Sequence, residues 1–116
     1  MVARRWAKIV AVRELVAVGA LRRIDAHHGE IKSMHTDEAA RGRGAGRAML
    51  RHLLAESRRR GYQRVSLETG SMEGFAPARG LYASEGFDVC PPFADYVASP
   101  NSVCMTVSLE PSAQSK

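Results

Sequence analysis

The chain has little of what holds a cross-linked or metal-bound domain together. Its 116 residues include two cysteines, Cys90 and Cys104, and four histidines that lack metal-ligand spacing. No apolar run is long enough to span a membrane. These shortages exclude a disulfide-rich scaffold, and we expect neither a metal site nor a membrane protein. Because no secretory signal is recognisable, we expect a cytoplasmic protein with reduced thiols.

Acidic residues are also in the minority. The chain has 12 Asp and Glu against 17 Lys and Arg, a net charge of +5, and most of the excess is arginine between Arg41 and Arg64. This charge would suit an anionic partner, either a phosphorylated cofactor or nucleic acid. For Arg58–Arg60 a solvated helix face is the simpler interpretation. Residues 1–116 have the length and composition of one soluble globular domain, whose tail from about residue 111 should fray.

The most informative stretch is Arg41–Arg47, which has three glycines at alternate positions directly before an apolar-periodic helix. Glycine lets the backbone turn tightly and lets a ligand approach closely. A helix start presents unpaired N–H groups and a positive dipole end, which suit phosphates above all. The stretch is not a P-loop, because no Lys-Ser/Thr follows, and it does not fit G-x-G-x-x-G. The alternative is a Gly/Arg-rich surface loop without a ligand.

Hydrophobic periodicity predicts three strands, a helix, a strand, a second helix and two closing strands. A mixed sheet with helices packed on it follows from this order. The third strand should contain a bulge, because polar Lys32 and Ser33 interrupt its alternation. The predicted elements are strands Lys8–Val12, Glu14–Arg22 and Ile31–Thr36 with a polar loop Asp25–Gly29, a helix from Ala45 to the Gly61 stop, strand Arg64–Thr69, a helix from Pro77 to Gly86, and strands Phe87–Cys90 and Val103–Leu109.

Several motifs in order resemble the GNAT superfamily of acetyl-CoA-dependent N-acetyltransferases. The family signature is Arg or Gln, two residues, Gly, one residue, then Gly or Ala, and here it is filled by Arg41, Gly44 and Gly46. A later aromatic-x-x-x-Gly-Phe motif is met by Tyr82, Gly86 and Phe87. Three further stretches resemble a bacterial branch of acetyltransferases: Glu30–Thr36, Leu67–Ser71 and Cys90–Tyr96.

The resemblance covers roughly residues 8–110 and implies an α/β fold of the α+β type, with a mixed, mostly antiparallel sheet. It implies that acetyl-CoA is the acetyl donor and that no metal takes part. The pyrophosphate would lie on the glycine loop, and the pantetheine arm would pair with the preceding strand where that strand splays from the next. The implied cofactor residues are Met34, His35, Thr36, Arg41, Gly42, Arg43, Gly44, Ala45, Gly46 and Arg47. The Met34 N–H is the candidate to polarise the acetyl carbonyl. Arg41 either contacts phosphate or braces the loop.

Acyl transfer to an amine needs a base for the ammonium and a proton donor for the leaving thiolate. The resemblance makes Glu30 a candidate base, and Glu68 on the neighbouring strand is a second candidate, with an ion-paired or solvated surface carboxylate as the alternative for each. Tyr82 occupies the family's common general-acid position, and a core aromatic is its alternative. Phe93, Asp95 and Tyr96 either border the acceptor pocket or pack an ordinary loop. Both cysteines are expected to be packing residues.

The chain departs from the family at its beginning. Members usually open with a strand and two helices that cover the acceptor site, whereas this sequence starts at what resembles the second strand. The expected function is acetyl transfer to an amine of a small molecule or peptide in a ternary complex. One rival is an inactive acetyl-CoA-binding sensor or regulatory module. Nucleic-acid binding is a weaker rival, because no aromatic stacking pattern accompanies the arginines. A homodimer would cover an exposed sheet edge.

Overall fold

The computed structural model describes residues 6–12, 17–36 and 44–109. The predicted cofactor residues Arg41, Gly42 and Arg43 lie outside these ranges, as does the tail from residue 111. Among the described residues, no helix is both long and apolar enough to cross a membrane.

Six strands and two α-helices make up the described part of the chain. They are β1 (Trp6–Val12), β2 (Ala17–Asp25), β3 (His28–Thr36), α1 (Ala45–Arg59), β4 (Arg64–Gly70), α2 (Ala76–Ser84), β5 (Asp88–Cys90) and β6 (Ser102–Ser108), with a 3₁₀ turn at Glu73–Phe75 before α2. The strands form one sheet in the order β1-β2-β3-β4-β6-β5. Only β3 and β4 pair in parallel among the described strands, so the predicted mixed, mostly antiparallel sheet is confirmed.

The β2–β3 hairpin is tighter than the sequence suggested. The predicted loop Asp25–Gly29 was too long, because Asp25 pairs with His28 and Arg23 pairs with Gly29. The Asp25 carboxylate accepts the N–H of His27 at 2.7 Å, which closes the turn locally. Polar residues can continue these strands because their side chains lie on a polar face of the sheet or in solvent.

The bulge predicted in β3 is confirmed. Lys32 is opposite Ala20 and His35 is opposite Val18, so three residue steps on β3 match two on β2. An extra residue bends a strand and increases its twist. The bend therefore falls in the half of β3 that leads toward the glycine loop.

Helix α1 has the apolar face that its periodicity predicted. It begins after Gly44, whose φ is +86°, and ends before Gly61, whose φ is +83°. These left-handed conformations favour glycine. The buried residues of α1 include Met49, Leu50, Leu53, Leu54 and Ser57, and they join a core that also holds Leu21, Ile31, Val65, Leu67, Tyr82, Phe87 and Met105. Both helices therefore contribute to the core on one face of the sheet, which we call the helix face.

The opposite face of the sheet is polar. Cross-strand partners share a face, and one such row runs through Arg22, Glu30, Ser66 and Thr106. The loop between β5 and β6, residues 91–101, crosses this polar face, and we call it the strap. Its Phe93 ring lies 5.9 Å from His28 and 5.0 Å from Tyr96, centroid to centroid.

Candidate functional site

A wedge opens between β3 and β4. Their parallel pairing ends at Ile31 opposite Leu67, although β3 continues to Thr36 and β4 continues to Gly70. We define the wedge as the gap between residues 32–36 and 68–70. Along this edge β3 has no strand partner among the described residues, so its backbone can pair with an extended ligand. The predicted splay of the two strands is confirmed.

The start of α1 lies at the same end of the sheet as the wedge. Helix α1 follows β3 in the chain and leads back to the start of β4. There the Gln63 N–H donates a hydrogen bond to the His27 carbonyl at 2.7 Å. Its first helical hydrogen bond runs from the Ala48 N–H to the Gly44 carbonyl at 2.9 Å. The N–H groups of residues 45–47 precede that bond, and the first turn contains no acidic residue. This helix end is therefore suited to an anion.

The predicted cofactor residues converge on this end of the fold as far as they are described. Met34, His35 and Thr36 form the last part of β3, along the wedge. Gly44 caps α1, and Ala45, Gly46 and Arg47 form its first turn. The structure thus places a strand edge and a helix start in succession, which is the arrangement that a pantetheine arm ending in a pyrophosphate needs.

The Arg47 side chain is engaged with the end of α2. It donates hydrogen bonds to Ser84 Oγ at 2.9 Å and to the Glu85 carboxylate. Arg51 also binds Glu85, with its Nη2 3.0 Å from Oε2. Hydrogen bonds from Arg51 and Arg47 lower the pKa of Glu85 below its ordinary value. The side chain of Arg47 thus ties α1 to α2. The group of Arg47 that can bind a ligand at the start of the helix is its backbone N–H.

Glu30, one predicted base, is fully buried on the polar face. Its Oε1 lies 2.9 Å from Arg22 Nη2, and Tyr96 donates its hydroxyl to Oε2. Arg22 is itself only 7% exposed, so the pair is shielded from water. A general base must reach the proton that it takes. Glu30 is therefore ion-paired, as one of the alternatives predicted, but the pair is buried and does not lie at the surface.

Glu68, the other predicted base, is exposed. It is the first residue of β4 beyond the last pairing with β3, so it lies where the two strands begin to separate. Its cross-strand partner is Cys104, which places its side chain on the polar face. A solvent-accessible carboxylate in this position can approach a ligand amine that enters from that face.

The strap is held on the polar face by Tyr96. Besides binding Glu30, the Tyr96 ring lies 5.5 Å below the Lys32 ammonium. Burial and the hydrogen bond to Glu30 raise the pKa of Tyr96 above its ordinary value, so the phenol stays a proton donor at neutral pH. The strap thus reaches Lys32, the first residue of the wedge on β3. That Phe93, Asp95 and Tyr96 border an acceptor pocket stays a prediction, with ordinary loop packing as its alternative.

Tyr82, the predicted general acid, comes from the opposite side of the sheet. It is 7% exposed on α2, with its ring 5.9 Å from that of Phe87. One turn earlier, Arg79 donates to the Gly70 carbonyl at 2.6 Å, which fixes α2 against the end of β4. Burial raises the pKa of Tyr82 above its ordinary value, which keeps its hydroxyl protonated. Glu68 thus lies on the polar face of the sheet, and Tyr82 lies on the helix face.

The sequence did not reveal three interactions in this region. Arg22 and Tyr96 both bind the Glu30 carboxylate, and Glu85 binds Arg47 and Arg51. The short β2–β3 hairpin would have placed Arg22 opposite Glu30 if its turn had been predicted correctly. Tyr96 is 66 residues from Glu30 in the chain, and no local pattern links them. Glu85 lies inside the predicted aromatic-x-x-x-Gly-Phe motif, but the motif says nothing about arginines on another helix.

A broad groove at the opposite end of the sheet is separate from the wedge. It is lined by Asp25, His27, Arg58, Tyr62 and Arg64, among others. These residues come from the β2–β3 turn and the α1–β4 connection, far along both strands from the splay. None of the predicted site residues that the structure describes lines this groove.

Comparison with known proteins identifies the family. The acetyltransferase (GNAT) family model matches residues 3–87. The chain is 53% identical over 96 residues to the uncharacterized N-acetyltransferase YsnE of Bacillus subtilis, covering 83% of this chain and 64% of that protein. It therefore spans less than two thirds of the length of that curated relative.

Solved structures share the fold. A Klebsiella pneumoniae protein described as an acyl-CoA N-acyltransferase superposes with a TM-score of 0.79 at 31% identity, covering 88% of this chain and 70% of that one. A GNAT family acetyltransferase of Elizabethkingia anophelis, solved with acetyl-CoA bound, has a TM-score of 0.70 at 18% identity, covering 86% of this chain and 72% of that one. With the family model matching most of its length, the chain belongs to the acetyltransferase (GNAT) family.

Proposed function

We propose that the protein transfers the acetyl group of acetyl-CoA to an amine of a small molecule or peptide, by direct attack in a ternary complex. One observation carries the proposal: the open edge of β3 leads toward the start of α1, whose first turn lacks acidic residues. Family membership supports the same donor, since the fold neighbour from Elizabethkingia anophelis was solved with acetyl-CoA bound.

The donor would lie along β3. Backbone groups of Met34, His35 and Thr36 would pair with the amide groups of the pantetheine arm, as one strand pairs with another. The N–H groups at the start of α1, together with Arg41, Gly42 and Arg43, would hold the pyrophosphate. Hydrogen bonds to a charged group contribute on the order of 1.5–3 kcal/mol each, so a few of them would support micromolar affinity.

Glu68 is the better supported base. An acceptor ammonium with a pKa near ~10.4 must lose a proton before its nitrogen can attack. Glu68 is exposed where β3 and β4 begin to separate, whereas Glu30 is buried against Arg22 and covered by Tyr96. We therefore propose that Glu68 takes the proton, directly or through a water, and that Glu30 holds the strap in place.

Tyr82 would give a proton to the departing sulfur. Its raised pKa keeps the hydroxyl protonated across the neutral range, and it approaches from the helix face while the amine enters from the polar face. The Met34 N–H would stabilise the charge that develops on the carbonyl oxygen. Base and acid thus act from opposite faces and do not compete for one position.

The test is a transfer assay with a panel of amines. Purified protein is incubated with acetyl-CoA and each amine, and the acetylated product and released coenzyme A are both measured by mass spectrometry. Product formation with at least one amine, above the rate without protein, is expected. Tight binding of acetyl-CoA without transfer to any amine would contradict the proposed enzyme activity and would favour a sensor or regulatory module.

A further inference from the structure

The two cysteines face each other across adjacent strands. Cys90 on β5 is directly opposite Cys104 on β6 in the antiparallel register. Opposed residues in such a ladder share a face and have Cα atoms roughly 4.5–5.5 Å apart. A disulfide spans Cα separations of roughly 4.4–6.8 Å. The backbone therefore already holds the pair within bonding range, and both are present as free thiols.

The two thiols differ in access to solvent. Cys90 is half-buried on the edge strand, whereas Cys104 is only 6% exposed and is hydrogen-bonded to the backbone of Phe93. Strand β5 is three residues long and is followed directly by Pro91 and Pro92. An oxidant can therefore reach Cys90 first. Cys104 lies beside Cys90 as a second thiol that is largely shielded from solvent.

We propose that Cys90 and Cys104 are a reversible oxidation site, at which a hydroperoxide converts the dithiol into an intramolecular disulfide. The Cys90 thiolate attacks the peroxide, the O–O bond breaks, and the alcohol or water leaves with a proton, giving a sulfenic acid. The Cys104 thiolate then attacks the Cys90 sulfur, and the S–O bond breaks with loss of water. Overall the two thiols lose two electrons and two protons, and the peroxide is reduced.

The surroundings of both thiols make their first oxidation slow. Burial raises the pKa of both thiols above the ordinary value, so both are mainly protonated at neutral pH and react slowly. Once Cys90 is oxidised, the adjacent thiol intercepts it before further oxidation. The bond would redirect the Cys104 sulfur away from Phe93, whose ring packs against His28 and Tyr96. Oxidation of the two cysteines would therefore change the packing of the strap.

The first test follows the thiols by mass. The full chain is reduced, exchanged into buffer without reductant, treated with hydrogen peroxide, unfolded and alkylated with N-ethylmaleimide. We expect loss of both alkylatable thiols, a mass lower by two hydrogens, no covalent dimer, and full recovery with dithiothreitol. In Cys90→Ser, Cys104 should remain alkylatable under the same treatment. A sulfinic acid on Cys90 with Cys104 free, or a disulfide only between chains, would overturn the proposal.

The second test asks whether the fold brings the thiols together. The dithiol–disulfide equilibrium is measured in glutathione buffers with the protein folded and again in urea. The folded protein should favour the disulfide over the unfolded chain by at least about tenfold, since a tenfold change in the constant is a shift of about 30 mV. Equal constants, or glutathione attached only to Cys90, would show that the strand register does not promote the bond.

Discussion

Gly44→Ala separates the structural from the ligand-binding role of the glycine loop. Gly44 has φ +86° at the start of α1, and a Cβ built there meets nothing within 4 Å. The substitution therefore creates no clash within the described protein. Its destabilisation comes from the left-handed backbone, which costs an L-residue about 1–2 kcal/mol. For a domain of this size we expect Tm to fall by about 4 °C for each kcal/mol.

Gly61→Ala is the matched control. Gly61 has φ +83°, and a Cβ there also meets nothing within 4 Å, but it lies at the other end of α1. Both variants should lose similar stability, measured by urea unfolding. Only Gly44→Ala should weaken acetyl-CoA binding, by at least tenfold or about 1.4 kcal/mol, because its methyl group enters the space where the pyrophosphate would approach.

Two results would contradict these expectations for Gly44. Equal losses of acetyl-CoA affinity in the two variants would mean that the start of α1 is not the phosphate site. Unchanged stability of Gly44→Ala would mean that the left-handed conformation at Gly44 is not required. Calorimetric titration of both variants at a temperature where each is fully folded separates these outcomes from simple unfolding.

The remaining predictions concern the titratable groups. Glu30→Gln should lower the free energy of unfolding by about 3 kcal/mol in urea, because it leaves a buried arginine without its counter-charge; a loss under about 1 kcal/mol would contradict the buried ion pair. Glu68→Gln should slow acetyl transfer while changing the free energy of unfolding by less than about 0.5 kcal/mol, because the Glu68 side chain is exposed. Asp88→Asn changes an exposed acid on β5 and is the control. If it slows the transfer equally, Glu68 is not the base. Tyr82→Phe should lower turnover by at least about tenfold with acetyl-CoA affinity nearly unchanged, whereas Tyr62→Phe, a buried tyrosine at the other end of the sheet, should not. Because the pKa of Tyr82 is raised above 10.0, its deprotonation should not limit the rate between pH 7 and 9, and a tyrosine-dependent fall in turnover within that range would contradict the assignment.

Local patterns predicted the elements of the fold well. The apolar face of α1 follows from helical spacing, and its ends follow from glycines that adopt positive φ. The bulge in β3 could be predicted because Lys32 and Ser33 interrupt the alternation. The hairpin turn is shorter than predicted, because a polar stretch such as residues 25–29 is typical of a loop but can also continue a strand on a solvated face.

The candidate site was only partly predictable. The glycine loop and the splay were expected from the family resemblance, and the roles of Glu68 and Tyr82 stay predictions. The sequence could not rank Glu30 against Glu68, because their difference depends on burial by the strap and on an ion pair with Arg22. Such contacts arise from long-range packing, which no window of sequence contains.

We propose that the protein holds acetyl-CoA through the wedge and the start of α1. Calorimetric titration of the folded protein with acetyl-CoA and, in parallel, with S-acetylpantetheine tests it most directly, because the second ligand lacks the pyrophosphate. We predict micromolar binding of acetyl-CoA and much weaker binding of S-acetylpantetheine. No binding of acetyl-CoA, or equal affinity for the two ligands, would show that the start of α1 does not hold the pyrophosphate.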